Sequence, residues 1–182
     1  MPTTHILLLR GINVGRNNRI GMGPLRELLE GLGYTGVRTL LNSGNAVVTA
    51  RATSPATVAR AVERAIRETF GLDIRVVVRS REQVERVIAG NPLPDAVSEP
   101  KVFHVGFCEP APPAAALDGI DAAALAPEQV ALEGDTLYAY FAAGMQNSPL
   151  NKALEKALKG TTVTLRNWNT VNKLLDLAEA EN

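Results

Sequence analysis

The sequence predicts an α+β fold with mainly antiparallel sheets, and three observations carry that expectation. Short β-branched or leucine-rich runs alternate with segments whose apolar residues recur at helical spacing. Two turn signals, Asn42-Ser43-Gly44-Asn45 and Gly134-Asp135, each join neighbouring runs into an antiparallel hairpin. The order then reads strand, helix, strand, strand, helix, strand, helix, and does so twice. A β-α-β-β-α-β order is the ferredoxin-like pattern. The chain is therefore expected to hold two ferredoxin-like βαββαβ halves in a pseudo-duplicated arrangement, residues 1–92 and 93–182. No residue-level repeat is visible, so the likeness is one of element order.

Each element has a local reason. Residues 4–10 form a short apolar run that ends in an arginine and read as a buried strand. After a Gly/Asn/Arg loop, Pro24 opens a helix with Leu25, Leu28, Leu29 and Leu32 on one face, and Gly33 ends it. Residues 37–41 and 46–50 form the first hairpin. Ser54-Pro55 caps a helix whose inner face is Val58, Ala61, Val62, Ala65 and Ile66, and Gly71 breaks it. Residues 74–79 are a strand, and Ser80 with Gln83 forms a capping box for a helix carrying Val84, Val87 and Ile88. A Pro/Asn stretch, 91–100, links the halves. In the second half, strands are expected at 102–108, 129–133, 136–142 and 161–163. Helices are expected at 112–117, 151–158 and 165–180, the last capped by Thr164 with an inner stripe of Leu165, Trp168, Val171, Leu175 and Ala178. Arg166, Asn167, Asn169, Thr170 and Lys173 would then point away from that stripe.

Composition narrows the function classes. Apolar residues make up 46% and aromatics only 4%, so the core is aliphatic and few rings are left for stacking on bases. The single cysteine, Cys108, permits no intrachain disulfide and points to a reducing cytoplasm. No basic region followed by a long apolar run opens the chain, so neither a signal peptide nor a membrane span is expected. Net charge is zero but uneven. Residues 1–90 carry 13 Arg against 7 Asp/Glu with no lysine, and residues 91–182 carry 6 Lys/Arg against 12 Asp/Glu. A basic half attracts anions, and it can equally pair with the acidic half.

Three Arg/Asn/Gly-rich segments look like one polar ligand site. The first is Arg10-Gly11-Ile12-Asn13-Val14-Gly15-Arg16-Asn17-Asn18-Arg19; four arginines precede the first acid, Glu27. Glycines allow close backbone approach and the loop feeds a helix N-terminus, a combination suited to an anion. It is neither a P-loop, which needs Gly-Lys-Ser/Thr, nor a dinucleotide fingerprint, which needs a third glycine and an acidic partner. The alternative is a glycine-stabilised loop whose asparagines cap turns. The second segment is Ser43, Gly44 and Asn45 with Asn42, whose amides and hydroxyl suit a hydrogen-bonding ligand edge, or which simply supply positive φ. The third is Arg166-Asn167-Trp168-Asn169, where the lone Trp168 fits a core anchor better than a stacking platform. In a ferredoxin-like topology the first two strands run parallel, so the first two segments should lie at one end of the sheet. Two histidines and one cysteine give no metal-ligand spacing, and Ser43 lacks a nucleophile elbow.

The run Leu9-Arg10-Gly11-Ile12-Asn13-Val14-Gly15, then Asn18, Ile20, Met22, Leu25, Leu28, Leu29 and Ser43-Gly44-Asn45, resembles the bacterial domain of unknown function 1697 family. The ending Arg166-Asn167-Trp168-Asn169-Thr170-Val171, with Lys173-Leu174, is similar to that family's C-terminal signature, and the resemblance spans essentially the whole chain. It implies a duplication of ferredoxin-like halves and brings no established activity or cofactor. Arg16 stands where a second glycine is common in the family, and Leu165 where a second threonine is common.

Together these readings favour a protein that binds a small anionic or phosphorylated ligand at Arg10, Gly11, Asn13, Gly15, Asn18, Arg19, Ser43, Gly44, Asn45, Arg166, Asn167, Trp168 and Asn169. A nucleic-acid strand is less favoured because aromatics are scarce. The alternatives are a transferase or hydrolase acting on a phosphorylated substrate, with Asp73 the nearest acid, and a structural or interaction protein whose basic and acidic halves pair.

Overall fold

The computed structural model describes residues 1–180. They divide into two compact units, Met1–Arg86 together with the residues from Lys173 on, and Val87–Asn172. The first unit thus closes at Arg86 rather than at residue 92, and the end of the last helix groups with it.

The first unit contains β1 Pro2–Leu9, α1 Met22–Gly31, β2 Thr35–Leu40, β3 Asn45–Arg51, α2 Pro55–Phe70 and β4 Val76–Ser80. Its sheet order is β2-β3-β1-β4, with every neighbouring pair antiparallel. This is the ferredoxin-like arrangement. Alternation along the strands sends Leu7, Leu9, Ala46, Val48, Ala50, Val76 and Val78 to one face, where they pack with Leu25 and Leu29 of α1 and Val58, Val62 and Ile66 of α2. Each Leu, Ile or Val among them stabilises the fold by roughly 1.5–3 kcal/mol. The caps follow the sequence: Ser54 Oγ accepts from the Thr57 amide at 3.2 Å, and Gly71 ends α2 at φ 68°. Ser80 and Gln83 form the reciprocal capping box at the start of α3 Arg81–Ala89, with bonds of 2.7 and 3.2 Å.

The second unit contains a 3₁₀ turn at Pro94–Ser98, β5 Phe103–Glu109, α4 Ala122–Leu125, β6 Gln129–Glu133, β7 Thr136–Tyr140, α5 Pro149–Ala157, β8 Thr162–Asn167 and the start of α6 Trp168–Glu179. The order β6-β7-β5-β8 repeats the antiparallel plan of the first sheet. Two expectations are corrected. Residues 114–119 form successive turns, and the helix between β5 and β6 is the single turn α4, capped by Asp121. A short helix needs an apolar face to pack, and the expected segment offers only Ala116 and Leu117, which reach the core from a turn. The last helix starts at Trp168, because Thr162 through Asn167 are drawn into a ladder with β5. Thr164 is therefore a buried strand residue, and Asn167 is the cap, its Oδ1 accepting from the Thr170 amide at 2.9 Å.

The two registers match position by position, which the sequence did not reveal. His5 faces Val48 and Ser80; His104 faces Ala139 and Asn167. Ile6 faces Arg79 as Val105 faces Arg166. Ser80 and Asn167 each cap the helix that follows, and Ser54-Pro55 and Ser148-Pro149 each open the second crossover helix. The chain's two histidines thus occupy equivalent places in the two sheets.

Candidate functional site

The loop that follows β1 is built on two apolar feet. Ile12 and Ile20 are buried in the first core, while residues 14–19 between them are all exposed. The chain leaves the strand at Gly11, φ 70°, after the Arg10 amide has bonded the Arg75 carbonyl at 2.9 Å. Asn13, itself at φ 55°, then locks the base of the loop. Its Nδ2 donates to the Ile20 carbonyl at 2.8 Å and to the Asn42 carbonyl at 2.7 Å, and its Oδ1 accepts from the Ile20 amide at 2.9 Å. The Asn13 amide reaches the Asn18 carbonyl at 3.0 Å, and Val14 pairs with Asn17 across a tip that needs Gly15 at φ 61°. Asn18, at φ 51°, donates from Nδ2 to the Gly11 carbonyl at 3.3 Å.

The β2–β3 turn docks on this loop, as the topology requires. The Leu9 amide donates to the Gly44 carbonyl at 2.8 Å, and the Asn13–Asn42 bond joins the two turns. A Cβ on Gly44 would lie 2.7 Å from Ile12 Cδ1 and 2.8 Å from Leu9 Cβ, so glycine is required by space as well as by φ. Asn45 is fully buried and donates to the Leu40 carbonyl at 2.8 Å and to Ser43 Oγ at 2.9 Å.

The candidate residues of the first unit therefore divide by role. Gly11, Asn13, Gly15, Asn18, Gly44 and Asn45 hold the two turns in shape, and both amide protons of Asn13 and of Asn45 are already donated. Arg10, Arg16, Arg19, Asn42 and Ser43 are exposed. The guanidiniums of Arg16 and Arg19 make no hydrogen bond or ion pair among the described residues. Elsewhere in the unit Arg67 pairs with Asp73 at 3.0 Å, Arg75 with Glu63 at 3.9 Å and Arg81 with Glu82 at 3.1 Å. Asp73, the acid expected near the loop, is thus already held by Arg67. Val14, inside the first motif but given no role there, and Leu41, outside every motif, are 69% and 55% exposed beside these groups. The signal that could have found the loop's fold was Ile12 and Ile20, two β-branched apolar residues inside a polar run.

Arg166, Asn167, Trp168 and Asn169 belong to the second unit and do different work there. Arg166 does not point to solvent as the helical reading expects. It is 9% exposed on β8, its Nη1 donates to the Leu165 carbonyl at 2.9 Å, and burial pushes its pKa down to about 10. Thr170, also expected outward, is buried. Asn167 caps α6, and Trp168 stacks on the buried Phe103 with ring centroids 5.0 Å apart. Asn169 is exposed. His5 is fully buried with neither ring nitrogen hydrogen-bonded among the described residues, and that burial lowers its pKa against the opposing charge of Glu82. His104 is likewise lowered by burial, and its ring lies 5.3 Å from Phe141.

Fold and site together define a duplicated ferredoxin-like protein that carries an asparagine-clamped arginine loop on its first unit. The chain belongs to the family described as "Protein of unknown function (DUF1697)", which it matches over residues 2–138. Arg166–Asn169 thus fall beyond the matched residues. Among solved structures it is similar to the conserved bacterial protein SP0830 from Streptococcus pneumoniae, at 23% identity and a TM-score of 0.78, over 98% of this chain and 99% of that one. That likeness is one of fold. No curated protein matches the chain. No helix among the described residues is long and apolar enough to cross a membrane.

Proposed function

We propose that the first unit binds a phosphorylated or otherwise anionic ligand through the arginines of loop 10–19. The observation that carries this reading is the contrast within one loop. The asparagine and glycine residues fix the backbone, while Arg16 and Arg19 stand in solvent without a carboxylate or carbonyl to hold them. An arginine fork matches phosphate geometry and keeps its charge at any physiological pH. A preformed mount lowers the ordering cost of binding. Asn13 and Asn45 act as scaffold in this reading, so their replacement would report on folding rather than on ligand contact.

A thermal-shift titration of the whole chain with phosphate, sulfate, nucleotides and sugar phosphates tests it. A binder at about a hundred times its Kd adds about 2.7 kcal/mol, which raises Tm by roughly 5–10 °C for a chain of this size. The Arg16→Ala/Arg19→Ala variant should keep the unliganded Tm and lose the shift. A shift that survives in the variant, or none with any anion, removes the loop from consideration.

A further inference from the structure

We infer that the anion recognised by this loop is the phosphate backbone of duplex nucleic acid rather than a small phosphate ester; the inference rests on the anion reading above. Small-ligand sites are concave and enclose most of the ligand, with a few buried polar groups aimed at it. The loop is the opposite shape. Residues 14–19 are exposed without interruption, and only the feet Ile12 and Ile20 are buried. The amides that would read a small ligand, those of Asn13 and Asn45, have both protons donated to the protein itself. Arg16 and Arg19 face solvent, with the exposed Arg10, Asn42 and Ser43 and the apolar side chains of Val14 and Leu41 nearby. A projecting turn with this surface fits an extended, repeating charge.

Two further observations narrow the polymer. Arg67, Arg75 and Arg81 each pair with a carboxylate of the same unit, whereas Arg16 and Arg19 pair with none among the described residues. Arg16 and Arg19 thus place two unpaired cations three residues apart on the projecting loop. Unpaired strands are held largely by stacking bases on aromatic side chains, and neither exposed turn, 10–19 or 41–44, contains one. Paired bases need no such platform. Arginines on the phosphates that border a groove, with Val14 and Leu41 against the sugars, need only what the two turns present. Recognition of this kind is tolerant of sequence and steep in salt.

The test is fluorescence anisotropy of the whole chain with a labelled duplex of about 20 base pairs, one of its single strands, and a mononucleotide, each between about 50 and 200 mM salt. With Arg16 and Arg19 each neutralising one phosphate, the slope of log K against log salt should be near −1.8, about a tenfold loss across that range. Arg16→Ala and Arg19→Ala should each flatten the slope by about 0.9. Both residues are exposed and unbonded, so circular dichroism should show an unchanged melt. Tighter binding of the duplex than of the strand or the mononucleotide supports the inference. Equal or tighter binding of the mononucleotide overturns it while leaving the anion reading intact, and tighter binding of the single strand overturns the choice of duplex. No binding of any of the three, with no phosphate shift in the thermal assay, overturns both readings.

Discussion

Replacing Gly44 by alanine isolates the contact that seats the arginine loop on the sheet. Two costs add. At φ 91° an L side chain sits in a region that costs about 1–2 kcal/mol. The new Cβ would also meet Ile12 Cδ1 at 2.7 Å, Leu9 Cβ at 2.8 Å and Ile12 Cγ1 at 2.9 Å, against about 3.5–4.0 Å for carbons at rest. Ile12 can rotate. The Leu9 Cβ cannot, because it is fixed to β1, whose Leu9 amide bonds the Gly44 carbonyl. Relief therefore separates the turn from the strand, an overpacking cost of about 1–3 kcal/mol. The sum is about 2–5 kcal/mol, or a Tm lower by roughly 5–15 °C. Gly15 supplies the control, since it has φ 61° and nothing within 4 Å of a built Cβ. Gly15→Ala should bear only the conformational cost, about 1–2 kcal/mol. Urea midpoints at constant m-value measure both. Equal midpoints for the two variants would refute the claim that Gly44 is selected by close approach.

Asn13→Ala removes three side-chain hydrogen bonds and leaves alanine at φ 55°, so a loss of about 2–4 kcal/mol is expected in urea unfolding; a loss under about 1 kcal/mol would mean that water replaces the clamp. In the second sheet, a Cβ on Gly106 would lie 2.9 Å from Val163 Cγ1 and 3.1 Å from Leu137 Cβ. Gly106→Ala should therefore cost about 1–3 kcal/mol, and an unchanged melt would show that β8 has room to move. His5 gives a pH dependence. Burial lowers its pKa from 6.5, so above that value both states hold a neutral ring, and below it the unfolded chain gains a proton that the fold refuses. Stability should fall on acidification below about 6.5, by up to about 1.4 kcal/mol per pH unit from this group, until the folded state also titrates. His5→Leu removes a buried ring without protein hydrogen bonds; it should be neutral or stabilising at pH 7 and should flatten the acid limb. An unaltered limb would assign the dependence elsewhere.

How far the sequence reaches depends on the range of the interaction concerned. The Ser54 cap, the Ser80–Gln83 box and Gly71 act within three or four residues, and all were legible from local pattern. The meeting of loop 10–19 with turn 42–45 was also legible, because parallel β1 and β2 place their ends on one side of the sheet. The role of Asn13 was not, since its partners lie 7 and 29 residues away and are backbone carbonyls, which carry no residue signature. Arg166 was misplaced for a related reason. The periodicity from Leu165 onward suits a helix, but ladder bonds to β5 claim Leu165, Arg166 and Asn167 first. That pairing turns Arg166 inward and makes Asn167, rather than Thr164, the cap.

The matched registers separate scaffold from candidate function. Both halves keep a histidine opposite a helix-capping residue, an arginine one position before that cap, and a Ser-Pro start to the second crossover helix. Both also bond the amide of the first strand's last core-facing residue to the hairpin, Leu9 to Gly44 and Cys108 to Asp135. Features present twice at equivalent places meet a requirement of the fold, because each sheet must close its ladder and cap its helices whatever the protein does. The segment after the first strand meets no such shared requirement. In the first half it begins at Arg10 and becomes an asparagine-clamped arginine turn; in the second it begins at Pro110 and becomes a run of prolines, alanines and turns. A loop that needs Asn13, Asn18 and two glycines at positive φ to hold its shape has no counterpart to its charge in the other half, so closing the sheet does not explain it. Its explanation has to come from what the loop meets in solution, and Arg16 and Arg19 are the residues with which to look for it.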